Sequence, residues 1–197
     1  MKTELEAKFL DIDPVLFRKK LIEVGAILIT AERLMKRKVF DFPDERLEKE
    51  GAWIRVRDEG DKITVSYKRL LDRSLYGTKE ITITADNFDD ACNIFLAIGL
   101  KQSSYQETRR ETWKLNDCEI TIDTWPWIPS FVEFEASTEE EVKDGVDKLG
   151  FDWSQAMHGS VETAYQKYFN VTEKEIDAWK EITFIPTPDW LEIQRKK

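Results

Sequence analysis

The chain has 197 residues, 41% of them hydrophobic, and its 7 Trp and 11 Phe are enough to fill the core of one domain. Its 39 acids against 30 bases leave a net charge of −9, which argues against a duplex-binding face, so nucleic acid is not an expected partner. One histidine (His158) and two cysteines (Cys92 and Cys118) without metal or redox spacing exclude His-rich zinc sites and leave the chemistry to carboxylates, Lys and Arg.

In chain order, the start MKTELEAKF is too charged for a secretory leader, and no uncharged run is long enough to cross a bilayer. A cytoplasmic chain with no membrane partner is expected. Residues 3–10 alternate and predict a strand. Asp13 as N-cap and Pro14 in the first turn predict a helix closing near Gly25, with Leu16, Leu21 and Ile22 as its buried stripe. An extended stretch then runs to Phe42, and PDERLEKEG is a polar connection. Strands are expected over 52–59, 62–69 and 78–84. Asn87 caps a helix running to Gly99, with Phe88, Ala91, Ile94, Phe95 and Ile98 at helical spacing. Strands over 105–115, 118–125 and 131–137 follow, the first two joined by a hairpin-like turn. Thr138 with Glu141 has the pattern of a capping box for a helix ending at Gly150, and a last helix is expected around 155–169. Strands with helices between and after them predict an α+β fold, an antiparallel sheet or barrel with helices outside.

Positions two apart on a strand share a face, and the charged faces here are sorted by sign. Glu4/Glu6 and Glu133/Glu135 are paired carboxylates, with Glu119 and Asp123 acidic on the strand between. Arg55/Arg57, Lys62/Lys68 and Arg110/Lys114 are paired cations. A solvated sheet face is the bland explanation of any one strand. Like charges repeated two apart repel, however, and need an offsetting partner. A closed barrel with the charged face inward supplies it. Its bases suit a polyphosphate, and its carboxylates, without His or Cys, suit a hard divalent ion such as Mg²⁺ or Mn²⁺ bridging to phosphate.

Glu4-Leu5-Glu6-Ala7-Lys8 is an ExExK signature. Taken with Arg55-x-Arg57, Lys68, Glu80, Arg110, Asp123 and Glu133-x-Glu135 in this order, it resembles the CYTH superfamily of triphosphate tunnel metalloenzymes over about residues 2–170. The resemblance implies an eight-stranded antiparallel tunnel with a charged lumen, dependence on Mg²⁺ or Mn²⁺, and a nucleotide, thiamine or inorganic triphosphate as substrate. Position by position, it implies that Glu4 and Glu6 are a metal-linked pair, that Glu133 and Glu135 are the second acidic pair, and that Asp123 is the acid on the preceding strand. Glu4, Glu6, Asp123, Glu133 and Glu135 thus form the metal set, and Glu4, Glu6, Glu80 and Asp123 the catalytic set. Lys8, Arg55, Arg57, Lys68 and Arg110 would grip the triphosphate.

Two positions depart from the pattern. Thr108 stands where cyclase-like members commonly carry Lys, with Arg109 expected to point the other way. Where the second strand often has an acid before a Tyr-Phe pair, this chain reads Lys36-Arg37-Lys38-Val39-Phe40, and spacing leaves open which of the three bases faces the tunnel. The expected activity is metal-dependent triphosphate hydrolysis, with class IV adenylyl cyclase as the alternative and a non-catalytic polyphosphate-binding module as the second. Residues 1–170 are expected to form the tunnel domain. Residues 171–197, with Trp179, Phe184 and Trp190, would form a helical tail that packs on the barrel, closes one tunnel end or meets a second copy in a homodimer.

Overall fold

In the computed structural model, which describes residues 1–196, the first strand is β1 (Lys2–Phe9), followed by helix α1 (Pro14–Glu23) and the long strand β2 (Ile27–Asp41). Strands β3 (Ala52–Asp58), β4 (Ile63–Leu70) and β5 (Thr78–Ala85) come next, and then helix α2 (Phe88–Ala97). Strands β6 (Lys101–Leu115), β7 (Cys118–Thr124) and β8 (Phe131–Ala136) precede helices α3 (Glu139–Lys148), α4 (Glu162–Tyr168) and α5 (Glu173–Asp177). The two-residue β9 (Glu181–Ile182) and the single turn α6 (Asp189–Glu192) end the chain.

Strand order β2-β3-β4-β5-β1-β8-β7-β6, with β6 paired back onto β2, closes an eight-stranded antiparallel barrel with the six helices outside it. Closure removes both sheet edges and turns one face of every strand toward a lumen. The outward row of β1, Leu5, Ala7 and Phe9, packs with Phe17 and Leu21 of α1 and Val142 and Val146 of α3. The inward row is therefore Glu4, Glu6 and Lys8. Thr138 and Glu141 form the capping box at the start of α3. Among the described residues, no helix is long and apolar enough to cross a membrane.

Several expectations about the helices need correction. In α1 the buried residues are Phe17 and Leu21, whereas Leu16 and Ile22 are exposed. Phe17 docks edge-on against Phe151, and that contact selects the 17/21 stripe. In α2, Ala91 and Cys92 are buried with Phe88 and Phe95 against them, while Ile94 and Ile98 face outward. The expected helix over 155–169 is two pieces, a 3-10 turn at Trp153–Gln155 and α4. Between them Met157 exchanges both backbone hydrogen bonds with Lys8, at 2.8 and 2.9 Å. The reason lies in β1, which pairs with β5 only over Lys2–Glu4 and leaves the backbone of Lys8 free on that side.

The chain after α4 wraps one end of the barrel. Trp125, Ile128 and Phe131 pack there with Tyr165, Ile176, Trp179 and Leu191. Ser104 Oγ donates to Trp179 O at 2.8 Å, and β9 pairs with Tyr105 and Gln106 of β6.

Candidate active site: a charged lumen with one open mouth

Lys8, Arg110 and Lys68 are held inside the barrel by carboxylates. Lys8, 1% exposed, places Nζ 2.9 Å from Glu133 Oε1 and 3.7 Å from Glu6 Oε1, and donates to Gly159 O at 3.0 Å. Arg110 donates from Nε to Asp123 Oδ1 and from Nη2 to Glu133 Oε2, both at 2.7 Å. Lys68 Nζ bridges Glu4 and Glu80. Burial alone would lower the pKa of Lys8 and of Arg110. Glu133 and Glu6 outweigh it for Lys8, and Asp123 and Glu133 for Arg110, so both are raised. Conversely, burial would raise Glu133, but Lys8 and Arg110 push it down to about 2.

Two arginines lack such partners. Arg37, 7% exposed, donates from Nη2 to Thr108 Oγ1 at 2.9 Å and lies 4.6 Å over the Trp125 ring. Arg55 donates from Nη2 to Ser66 Oγ at 3.2 Å. The Nε of each is buried without a hydrogen-bond partner, and among the described residues no carboxylate forms an ion pair with either. Burial, reinforced by Arg55, Arg57 and Arg110, pushes Arg37 well below its usual pKa; burial and Arg57 push Arg55 down to about 9. A guanidinium keeps its charge in proteins, so Arg37 and Arg55 are buried cations with no hydrogen-bonded carboxylate to answer them.

The end of the barrel away from Arg37 and Trp125 is acidic and open. A cavity of about 480 Å³ there is lined by Met1, Lys2, Glu4, Glu80, Ile81, Thr82 and Glu135. Burial raises Glu4 to about 7 against the pull of Lys68, and burial together with Glu4 raises Glu135 to about 7. Glu6, directly across from Glu135 on β8, is raised by burial and by Glu133. Glu80 goes the other way: burial opposes it, but its Glu4 neighbour and the charge of Lys68 take it well below the usual range. Glu59 at the β3–β4 turn gathers Arg57 Nε at 2.9 Å, Thr64 Oγ1 at 3.0 Å and Arg33 Nη2 at 3.5 Å.

A family model described as CYTH domain matches residues 2–176. The chain belongs to the CYTH family. Among solved structures, an adenylate cyclase candidate from Vibrio parahaemolyticus superposes with TM-score 0.71 at 14% identity, covering 84% of this chain and 98% of that one. A Pyrococcus horikoshii protein superposes with TM-score 0.64 at 20% identity, covering 78% and 93%. An adenylyl cyclase candidate from Hippeastrum, described as having a dominant triphosphatase activity, gives 0.58 at 11% identity over 90% and 95%. No curated protein matches the chain.

In this CYTH barrel, Glu4, Glu6, Lys8, Arg55, Arg57, Lys68, Glu80, Arg110, Asp123, Glu133 and Glu135 lie on inward rows of adjacent strands. They do not form one cluster. Asp123 has both oxygens engaged, by Arg110 and by Thr121 Oγ1 at 2.7 Å. Lys62 and Lys114, read as wall cations, are not in the lumen: Lys62 reaches Glu59 at 3.6 Å from the rim, and Lys114 is exposed, as is Glu119. Their strands extend past the lumen, so alternation gives the correct face and the wrong depth. Arg109 points outward, over the Phe184 ring at 4.8 Å. Of the three adjacent bases on β2, Arg37 faces in, while Lys38 lies over Phe88 outside. Glu59 was missed although it closes the strand expected over 52–59; β3 ends at Asp58, and the shared parity of Arg55, Arg57 and Glu59 was the available signal.

The donor chemistry fits a hard divalent cation. Glu6 and Glu135 have no hydrogen-bonded cation, their nearest being Lys8 at 3.7 Å and Lys2 at 3.9 Å. Carboxylates that burial and mutual repulsion drive toward protonation are relieved by a metal. Among the described residues, no three carboxylates are already drawn together as a ligand set.

Proposed function

We propose that the protein hydrolyses a linear triphosphate in a divalent-metal-dependent reaction inside the lumen. The observation that carries this is the pair Arg37 and Arg55, buried cations without carboxylate partners, set beside carboxylates that burial has left under-compensated. A polyphosphate answers the first and a divalent cation the second. The triphosphatase activity described for the Hippeastrum protein supports the same reading.

Lys8, Arg55, Arg57, Lys68 and Arg110 hold phosphate oxygens, with guanidinium forks giving paired hydrogen bonds. Lys8, Arg110, Lys68 and Arg57, fixed in advance by Glu133, Asp123, Glu80 and Glu59, would meet the charge that develops on the transferred phosphoryl group without reorganising. Glu4, Glu6 and Glu135 would hold Mg²⁺ or Mn²⁺, which when bound supplies positive charge to phosphate oxygens. Glu6, which like Glu135 has no hydrogen-bonded cation, would orient a water and accept its proton.

The test is incubation of purified protein with ATP, thiamine triphosphate and tripolyphosphate, each with Mg²⁺ and Mn²⁺, and resolution of the products. Orthophosphate released only with metal is expected. Cyclic AMP with pyrophosphate would instead establish cyclisation, and tight binding without turnover would establish a binding module.

A further inference from the structure

The barrel closes between β1 and β5 over three residue pairs only, Lys2 with Glu80, Thr3 with Lys79 and Glu4 with Thr78. β5 then runs on from Ile81 to Ala85, paired with β4 along its length and, among the described residues, with no strand on its other side. Closure therefore removes the sheet edge inside the barrel and leaves one where β5 overhangs β1. The overhang stands at the acidic mouth, where Ile81 and Thr82 line the cavity. Successive residues of an antiparallel strand turn their backbone N–H and C=O groups to alternate sides, so this segment presents a row of unanswered donors and acceptors.

Such edges are usually blunted by charge, proline or a bulge. β2, which also runs past its β3 partner, shows that treatment. Register shifts break it between Leu28 and Thr30 and between Thr30 and Arg33, and Arg33 is tied to Glu59 at 3.5 Å and Asp61 at 2.8 Å. β5 has none of these devices. Its register with β4 is unbroken, and Ile81-Thr82-Ile83-Thr84-Ala85 carries neither charge nor proline in a chain of net charge −9. Ile81 is 52% exposed and Ile83 62%, opposite Tyr67 and Val65 on the outward face of β4.

The segment is also its own complement. A two-fold axis at Ile83 sets Ile81 against Ala85, Thr82 against Thr84 and Ile83 against itself in an antiparallel pair. Apolar side chains then meet on the outward face and hydroxyls on the inward face, with no like charges opposite each other in the five residues. An unrelated strand would satisfy the same backbone groups without that match of side chains.

We infer that β5 pairs with the same strand of a second copy of this chain, joining two barrels into one continuous sheet. The partner's Thr84 then stands beside Thr82 at the mouth, so each copy walls the other's entrance on the side that β1 leaves open.

Sedimentation velocity of the full chain between about 2 and about 200 µM tests this. Five residues a side make an interface below about 1,200 Å², so a dimer with Kd of about 10–100 µM is expected. Hydrogen exchange of wild type, compared at the two ends of that range, should slow at Ile81–Ala85 on concentrating. Ile83→Lys, at a largely exposed position, should keep the wild-type Tm. It should raise Kd at least about 10-fold, because two ammonium groups then face each other across the axis. Ile83→Glu should do the same, and an equimolar mixture of the two variants should dimerise again. Ile29→Lys, at a 57% exposed position on the β2 edge, should leave association unchanged. Wild type that stays monomeric throughout overturns the inference and leaves the edge to a strand of another protein. Protection that falls on residues 27–31 instead, a dimer indifferent to Ile83→Lys, or a mixture of the charged variants that stays monomeric also overturns it. The exchange measurement needs no variant, so it decides the matter even where substitution at Ile83 unfolds the chain.

Discussion

Lys68 Nζ stands between two carboxylates, 2.8 Å from Glu4 Oε2 and 2.9 Å from Glu80 Oε2, so one ammonium holds acids from two different strands. Their pKa values diverge: burial raises Glu4 against the pull of Lys68, while Glu80 is lowered, against burial, by its Glu4 neighbour and by the charge of Lys68. That divergence marks a pair in which one proton and one cation suffice for two charges.

Replacing the cation exposes what it offsets. Lys68→Met leaves two largely buried carboxylates facing each other and should cost about 3–5 kcal/mol at pH 8. The loss should shrink at pH 5, where Glu4 takes up a proton and the repulsion ends. Urea denaturation at the two pH values measures both numbers; equal losses would show that the pair is not electrostatically coupled through Lys68.

The lumen acids also predict how stability varies with pH in the absence of metal and substrate. Glu4 and Glu135 are raised from 4.5 to about 7. A carboxylate shifted upward by folding contributes fully below its unfolded pKa, and the contribution is lost as pH rises through its folded pKa. Glu133, pushed from 4.5 down to about 2, works in reverse, contributing above 4.5 and losing this as pH falls toward 2. Tm should therefore fall between about pH 5 and pH 8, and fall again in strong acid. Glu4→Gln should flatten the alkaline limb, because Gln has no proton to lose. An unchanged slope in that variant would refute the upward shift.

Glu6 and Glu133 carry the same side chain on facing strands and should behave differently. Glu133 accepts from buried Lys8 and half-buried Arg110, so Glu133→Gln should lose about 3 kcal/mol of stability along with turnover. Glu6 has one distant cation and a carboxyl raised by burial and by Glu133, so Glu6→Gln should leave stability within about 1 kcal/mol. Turnover should still fall by roughly 10²-fold or more if Glu6 orients water or holds metal. Thermal melts beside a phosphate-release assay separate the two effects, and full activity in Glu6→Gln would remove it from the reaction.

How much of this was legible in the sequence depended on regular alternation. The inward row Glu4, Glu6, Lys8 was readable because Leu5, Ala7 and Phe9 alternate with it without a break. Arg37 was not, because three consecutive bases erase the alternation and β2 carries register shifts, one of them between Val39 and Phe40. Lys62 and Lys114 had the right parity, but strand length does not say where a lumen stops. The broken helix after Trp153 followed from a gap between β1 and β5, a tertiary cause that no local propensity contains.

The cap tests whether the chain after residue 170 is an appendage or part of the barrel's own core. Trp179 packs against Tyr165 with ring centroids 5.2 Å apart, against Trp190 at 5.3 Å and against Trp127 at 5.9 Å. Its backbone carbonyl also accepts from Ser104 of β6. Trp179→Ala should therefore cost about 3–5 kcal/mol, the usual loss for deleting a buried aromatic, in a single transition shared by barrel and cap. Tyr165, which backs Trp125 and through it Arg37, would lose its support at the same time, so tripolyphosphate affinity should fall in step with stability. Following urea unfolding by tryptophan fluorescence and by far-UV circular dichroism decides between the alternatives. An early fluorescence transition with the dichroism midpoint unmoved would mean that the tail melts alone and that the barrel holds its deep end without it.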